Sequence, residues 1–384
     1  MRTRSLAIVA AFLLSPAVAL GQGTLSTQGF GFPGGQMGTR SLGAGGALTE
    51  GDPLSATNPA AIYNFGGSIL YFQAEPEYRR VSRGEFTEGS TIARYPLVTA
   101  GVPIGRAFVA GLTASNLLDR TFSTRVRSTQ TVRGEAVSST NSFSSDGAIG
   151  DVRVALAWAP TQWLHLGIAG HAITGDNELN STQRFDDSTR FATIVDTQTV
   201  TYTGTAYSTG FDISAGRYAT ISGSYRLGRA LSIKRADTTV RNATVPDRMS
   251  IGVAFVGIRG TTIGVRTSKD RWSNLAPLAL PTQRIAEGWD SSIGADVLGP
   301  RLLGVPLQLR AGARTRTLPF GVPASGTTPG ADVTERSYSL GTGALLGRGR
   351  ASFDLAGIRA MRKAVSSNVK EDAWTLSVGV SVRP

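Results

Sequence analysis

Hydrophobic and polar positions alternate with a period of two along most of the chain. In the run beginning at Trp374, the residues Trp374, Leu376, Val378, Val380 and Val382 fall on one face, and Thr375, Ser377, Gly379 and Ser381 on the other. Val152–Trp158 and Met249–Phe255 alternate in the same way. So does Leu307–Arg314, where Gln308, Arg310, Gly312 and Arg314 share the polar face with Arg316. A two-residue period sends alternate side chains to opposite sides of a strand. The pattern predicts about seventeen strands between 65 and 382, with no helix-period segment of useful length among them. Strands of this kind build either a half-solvated soluble sheet or the wall of a transmembrane barrel.

The turn signals fall into two classes. Short ones occur at Ala215-Gly216-Arg217, Leu227-Gly228-Arg229, Gly257–Gly260 and Gly347-Arg348-Gly349. Longer polar stretches near 133–148, 174–190, 269–287 and 318–333 are read as loops. Short turns at one end and long loops at the other is the layout of an outer-membrane barrel. Trp158, Trp163, Trp272, Trp289 and Trp374 are placed at strand ends, where an interfacial girdle requires aromatics. The fold class expected is therefore all-β, an antiparallel transmembrane β-barrel starting near Phe65.

The first residues change the picture by adding an export signal. Arg2 and Arg4 precede the apolar run Leu6–Leu14, Pro16 breaks it, and Ala19-Leu20-Gly21 offers a cleavage site before Gln22. Residues 1–21 are read as a signal peptide, and the apolar run is too short to span a membrane as a helix. The chain has no cysteine, so disulfides do not stabilise it. Its net charge of +12 comes from arginine, since Lys234, Lys269, Lys363 and Lys370 are the only lysines. The arginines are scattered without basic runs or interleaved aromatic pairs, which argues against nucleic acid as a partner. At strand ends and in loops they suit anionic lipid headgroups, and inside a lumen they suit anions.

Residues 22–64 are rich in Gly, Ser, Thr and Ala and lack strand alternation. In Thr49–Asn64, Pro53 and Pro59 hold Asp52 and Asn58 extended, and both side chains can close Asx-turns. Locally this reads as a surface loop or as a compact plug.

Enzyme chemistry finds little purchase. Gly29–Gly34 matches G-x-G-x-x-G, but neither a strand before it nor a helix after it is present. No G-x-S-x-G elbow occurs. His165 and His171, the only histidines, are assigned opposite strand parity and structural roles. No metal site, cofactor or catalytic residue is assigned. Arg310, Arg314 and Arg316 could grip a carboxylate or pair with acidic residues across a lumen.

The stretch Gly38–Ala60 contains Gly43, Gly45, Gly46, Asp52 and the triplet Asn58-Pro59-Ala60. It resembles the hatch of the FadL-type long-chain fatty acid and hydrophobic compound transporters. Later segments resemble that family in order: Val245–Phe255 followed by Arg271-Trp272-Ser273, then Gly288–Gly294, Leu309–Gly312 and Thr317–Pro319. The resemblance implies an outer-membrane barrel of about 14 strands over 65–384, with an N-terminal hatch, 22–64, inside its lumen. It implies a monomer in a diderm outer membrane, touching lipid and lipopolysaccharide, that passively takes up hydrophobic small molecules. A barrel of this type serving as a scaffold subunit of a secretion or assembly complex is the alternative. Two features depart from the family pattern: the expected loops are polar rather than apolar and helical, and the chain ends in Arg383-Pro384 rather than an aromatic residue.

Overall fold

Alternation along the chain is realised as a closed wall in the computed structural model, which describes residues 25–384 apart from 29, 85, 133–134, 280–283, 303, 323–329 and 365–367. The signal peptide assigned to 1–21 lies outside the described residues. In chain order the strands are β1 (Ile69–Arg83), β2 (Phe86–Ile104), β3 (Phe108–Asp119), β4 (Phe122–Val132), β5 (Glu135–Thr161), β6 (Leu164–Phe185), β7 (Ile194–Ala215) and β8 (Ala219–Arg235). They continue with β9 (Thr238–Thr244), β10 (Arg248–Ile258), β11 (Thr261–Asp270), β12 (Gly288–Leu302), β13 (Val305–Thr317), β14 (Val333–Leu346), β15 (Ala351–Ala364) and β16 (Val369–Val382).

All pairings are antiparallel. β3 and β4 both pair with β5, while β9 and β10 both pair with β8. Each of these couples is one stave with a break in it, so sixteen strands make fourteen staves. The second break falls at Pro246, which has no N–H to give a ladder. Pairing of β1 with β16, from Leu70 opposite Val382 to Arg83 opposite Val369, closes the sheet into a barrel.

The outward face is apolar. Leu70, Phe72, Leu112, Val154, Ile168, Val265, Ile293 and Leu340 are exposed, whereas their sequence neighbours Tyr71, Gln73, Gly111, Arg153, Arg266 and Ser339 turn inward. Trp158 and Trp163 lie near the short-turn end, where Phe108 stacks on Trp158 at 6.3 Å. Trp289 and Trp374 lie toward the long-loop end, and Tyr78 stands opposite Trp374. From Trp374 to Val382 a tilted strand climbs roughly 20 Å, close to the apolar height of such a wall.

Three sequence expectations need correction. Trp272 is no girdle residue: it is buried in a 3₁₀ turn, Trp272–Leu278, and packs on Phe320 inside the barrel. The stretches 133–148 and 174–190, expected as loops, are mostly strand, because Ser- and Thr-rich segments are polar yet fully able to pair. They lengthen β5 and β6 beyond the apolar band. Leu227-Gly228-Arg229 does not turn either. It runs through β8, and Gly228 lies so near Val245 that a Cβ would stand 1.7 Å from its carbonyl oxygen.

Candidate functional site

Residues 30–65 of the N-terminal segment pack against inward-facing residues of the wall, and pairs of glycines in the wall explain how closely they approach. Gly167 and Gly210 face each other across β6 and β7. A Cβ on Gly210 would stand 1.9 Å from the Asn58 side-chain oxygen, and one on Gly167 would stand 2.3 Å from the Ala60 nitrogen. Gly294 and Gly312, partners across β12 and β13, receive Ala44 in the same way at 2.1 and 2.3 Å. Gly101 and Gly111, partners across β2 and β3, receive Phe65 and Ile62. Gly43, Gly45 and Gly46 meet the second niche: Gly43 approaches Gly341, and Gly45 lies against Ala313 with a left-handed φ of 67°.

Within the segment, the two Pro-bearing turns close on themselves. Asp52 accepts hydrogen bonds from Ser55 Oγ (2.8 Å) and the Leu54 amide (3.3 Å), and Ser55 in turn accepts from the Gly38 amide (2.9 Å). Asn58 accepts from the Ala60 amide (2.9 Å), capping the 3₁₀ turn Pro59–Phe65 with Pro59 in its first position. The Asn58 amide nitrogen donates to the Glu50 carbonyl (2.9 Å) and to the Phe211 carbonyl of the wall (3.0 Å). One side chain thus fixes the turn and ties it to β7.

Charge does the rest. Glu50 projects between Arg266 Nε (3.1 Å), Ser250 Oγ (2.6 Å) and Ser224 Oγ (2.7 Å). Burial pushes its carboxyl up, but Arg266, Arg248 and the two hydroxyls outweigh burial and hold it below the usual range. Asp52 goes the other way: burial dominates over Arg40 and its hydrogen bonds, and its carboxyl is raised. Arg40 donates to Asp296 (3.0 Å), a carboxylate that Arg310 also reaches at 3.2 Å. Thr39 shares a hydroxyl contact of 2.8 Å with Ser377.

Phe32 is the centre of a cationic ring. The guanidiniums of Arg79, Arg94, Arg316 and Arg362 lie 5.3, 5.3, 4.8 and 4.7 Å from its ring centre. Glu77, Asp119, Glu335 and Glu371 neutralise them, with Arg94 bonded to both Glu77 and Asp119. The Phe32 backbone pairs with Asp119 at the break between β3 and β4. Above Leu97–Ser115 no ladder joins β2 to β3 or β4 among the described residues, so Arg94–Asp119 and Phe32 close that seam with side chains.

Arg310, Arg314 and Arg316, the arginines singled out in the sequence, all face the bore, and each already answers wall carboxylates. Arg310 bonds Asp296 and Asp354, Arg314 holds Asp290 through two bonds of 2.7 Å, and Arg316 bonds Glu335 at 2.6 Å. A cavity of about 130 Å³ adjoins this layer, lined by Phe32, Met37, Leu117 and Trp272 as well as by Arg226, Arg248 and Arg314. A second of about 320 Å³ opens at the short-turn end beside Arg40, Asp52, Phe65 and Arg310. Toward the long-loop end the interior turns apolar: Phe30, Tyr202, Leu231, Trp272, Leu275 and Phe320 pack together there.

The histidines need a correction as well. Six residues apart on β6, His165 and His171 have the same parity, and both point inward. His171 Nδ1 lies 2.8 Å from Asp151 Oδ1, and its Nε2 lies 2.8 Å from Ser208 Oγ. That is the residue order of an acyl-transfer site. Ser208, however, is buried in mid-strand beside Ala169, which packs with Leu54 and Ala56 of the N-terminal segment. Its neighbours Tyr207 and Thr209 pair with both β6 and β8. The cluster acts as a polar clasp: Gln36 links Asp151 to Arg248 across the bore. Among the described residues no group of three His, Asp or Glu could hold a metal ion.

Sequence reasoning singled out Asp52 and the Asn58 triplet but missed Glu50, Phe32, the His171 clasp and the wall glycines. Only the glycines carried a local signal, since Gly inside a strand marks close approach of another backbone.

No family model matches the sequence, and no curated protein does. Solved structures do match its fold. A FadL homologue from Pseudomonas aeruginosa aligns with a TM-score of 0.60 at 13% identity, covering 92% of this chain and 99% of its own. The Pseudomonas putida toluene transporter TodX aligns at 0.57 and 12% identity, over 91% and 98%. The monoaromatic hydrocarbon channel CymD aligns at 0.54 and 12%, over 91% and 97%. The fold is that of the FadL-type barrels.

Proposed function

We propose that this chain is an outer-membrane channel for passive uptake of hydrophobic small molecules, with residues 22–64 as its hatch and 65–384 as its barrel. It is exported through a cleaved signal peptide, works as a monomer amid lipid and lipopolysaccharide, and performs no catalysis. The observation that carries this reading is how the bore is closed. The closing segment is held by side chains and glycine niches, with one backbone bridge, at Phe32, among the described residues, so it can shift without opening the wall's ladders. The buried apolar cluster around Trp272, Leu275 and Phe320 makes the interior at the long-loop end, which faces outward in this reading, compatible with an apolar solute. The toluene and monoaromatic channels that share the fold point to apolar solutes of that size.

Deleting residues 25–55 tests the hatch. The expected result is an assembled, heat-modifiable barrel that conducts in planar bilayers where the parent is closed. A deletion variant as closed as the parent overturns the hatch and the transport reading together. One observation favours the scaffold reading instead: the ion-paired layer leaves little apolar path through the bore. Mass spectrometry of the purified barrel separates the two, as an extracted apolar ligand supports uptake and stoichiometric partner subunits support the scaffold.

A further inference from the structure

The short-turn end carries a charge pattern that the bore does not use. Six short strand-to-strand connections lie at this end: 105–107, 162–163, 216–218, 259–260, the step from Leu302 to Val305, and 347–350. Arg106, Arg217, Arg259, Arg348 and Arg350 occupy four of them, and Arg301 stands at the strand end entering a fifth. All six arginines are exposed, and among the described residues none makes an ion pair. No Asp or Glu occurs in any of these turns. Asp212 on β7 and Asp354 on β15, the acidic residues next along the chain from Arg217 and Arg350, are buried on the inner face. The long-loop end is mixed by contrast, with Arg190 paired to Glu135, Arg271 to Asp247 and Arg284 to Asp332.

We infer that these arginines form a collar for anionic phospholipid headgroups of the membrane leaflet at the short-turn end. The inference rests on the outer-membrane reading proposed above. Two observations choose a leaflet over a protein partner. The arginines follow β2, β7, β10, β12 and β14 and so encircle the barrel, whereas a docked protein meets one side. The outward apolar band also ends beside them, at Ile104, Phe108, Trp163, Tyr218, Ile258 and Leu302, all exposed. This places guanidiniums at headgroup depth. A guanidinium there pairs with a phosphodiester through a planar, two-donor fork that water screens poorly at an apolar boundary.

The test reconstitutes the purified barrel in phosphatidylcholine vesicles containing a minor share of phosphatidylglycerol, then counts the lipids retained after extraction by native mass spectrometry. Phosphatidylglycerol should be enriched roughly fivefold per arginine site over its bulk share. Replacing Arg106, Arg217, Arg259, Arg301, Arg348 and Arg350 with Gln should abolish the enrichment, and replacing Arg190, Arg271 and Arg284 should not. In the unaltered protein, raising salt should lower the enrichment progressively, which tests the collar without any variant. Absence of enrichment in the unaltered protein, or its persistence in the six-Gln variant, overturns the collar. So does stoichiometric recovery from membranes of an acidic protein that the six-Gln variant loses, if lipid enrichment is absent. Failure of the unaltered barrel to enter vesicles of either lipid overturns the membrane reading itself.

Discussion

Arginine serves two regions of this molecule in opposite ways. In the bore, Arg79, Arg266, Arg310 and Arg362 are almost wholly buried and answered by carboxylates. At the short-turn end, Arg106, Arg259 and Arg348 are exposed and carry no carboxylate partner among the described residues. A net charge of +12 is uninformative about either role. The difference lies in which way the pleat points each side chain and what lies opposite. Buried ions demand exact partners because desolvation is costly, while rim ions are solvated and remain available to an outside anion.

The sharpest way to break this contrast is to remove one charge from each region. Arg362→Leu takes one guanidinium from the layer it shares with Glu335, Glu371 and Glu77, leaves that layer one buried negative charge in excess, and should destabilise the barrel by about 3–5 kcal/mol. Arg259→Leu at the rim should stay within about 0.5 kcal/mol. Urea unfolding in vesicles, followed by gel migration, measures both, and equal losses would end the distinction.

Placing an arginine in neither environment should cost less. Leu376 faces outward on β16, so Leu376→Arg meets hydrocarbon and should lose about 2–4 kcal/mol in the same assay. A neutral result would mean that the outer face is wet.

The bore's contents are held by shape as well as charge, and Gly210→Ala isolates shape. The added methyl overlaps Asn58 and should cost about 1–3 kcal/mol, spent on displacing the N-terminal segment while the wall persists. Raised conductance with unchanged unfolding of the wall is the expected readout.

The smallest effect is a pH dependence with two signs. Glu50 has a lowered carboxyl in the folded protein, so its contribution is present above the unfolded glutamate pKa and fades as pH falls through the folded value. Asp52 has a raised one, so its contribution is complete below the unfolded aspartate pKa and fades as pH rises through the folded value. Proteolytic release of the segment should therefore be slowest in mild acid. Asp52→Asn should remove the loss on the alkaline side, and Glu50→Gln the loss on the acid side. A wild-type profile flat from acid to neutral pH would contradict both assignments.

The sequence by itself determined what local alternation can encode. Trp374, Leu376 and Val380 announced an outward face, and Ser377 and Arg310 an inward one, because lipid and bore impose a period of two on every strand. Gly216 and Gly347 marked true turns for an equally local reason, the left-handed backbone each requires. Tertiary structure alone decided the rest. Which carboxylate meets Arg362, and that His171 joins Asp151 to Ser208, depends on register between strands far apart in the chain. That 133–148 and 174–190 are strand follows from the neighbours that pair them, and Trp272 is buried because Phe320 packs against it. Niches such as Gly167 with Gly210 exist only once two strands align and a third segment arrives. A glycine shows that something comes close, and closure of the barrel decides that it is Asn58.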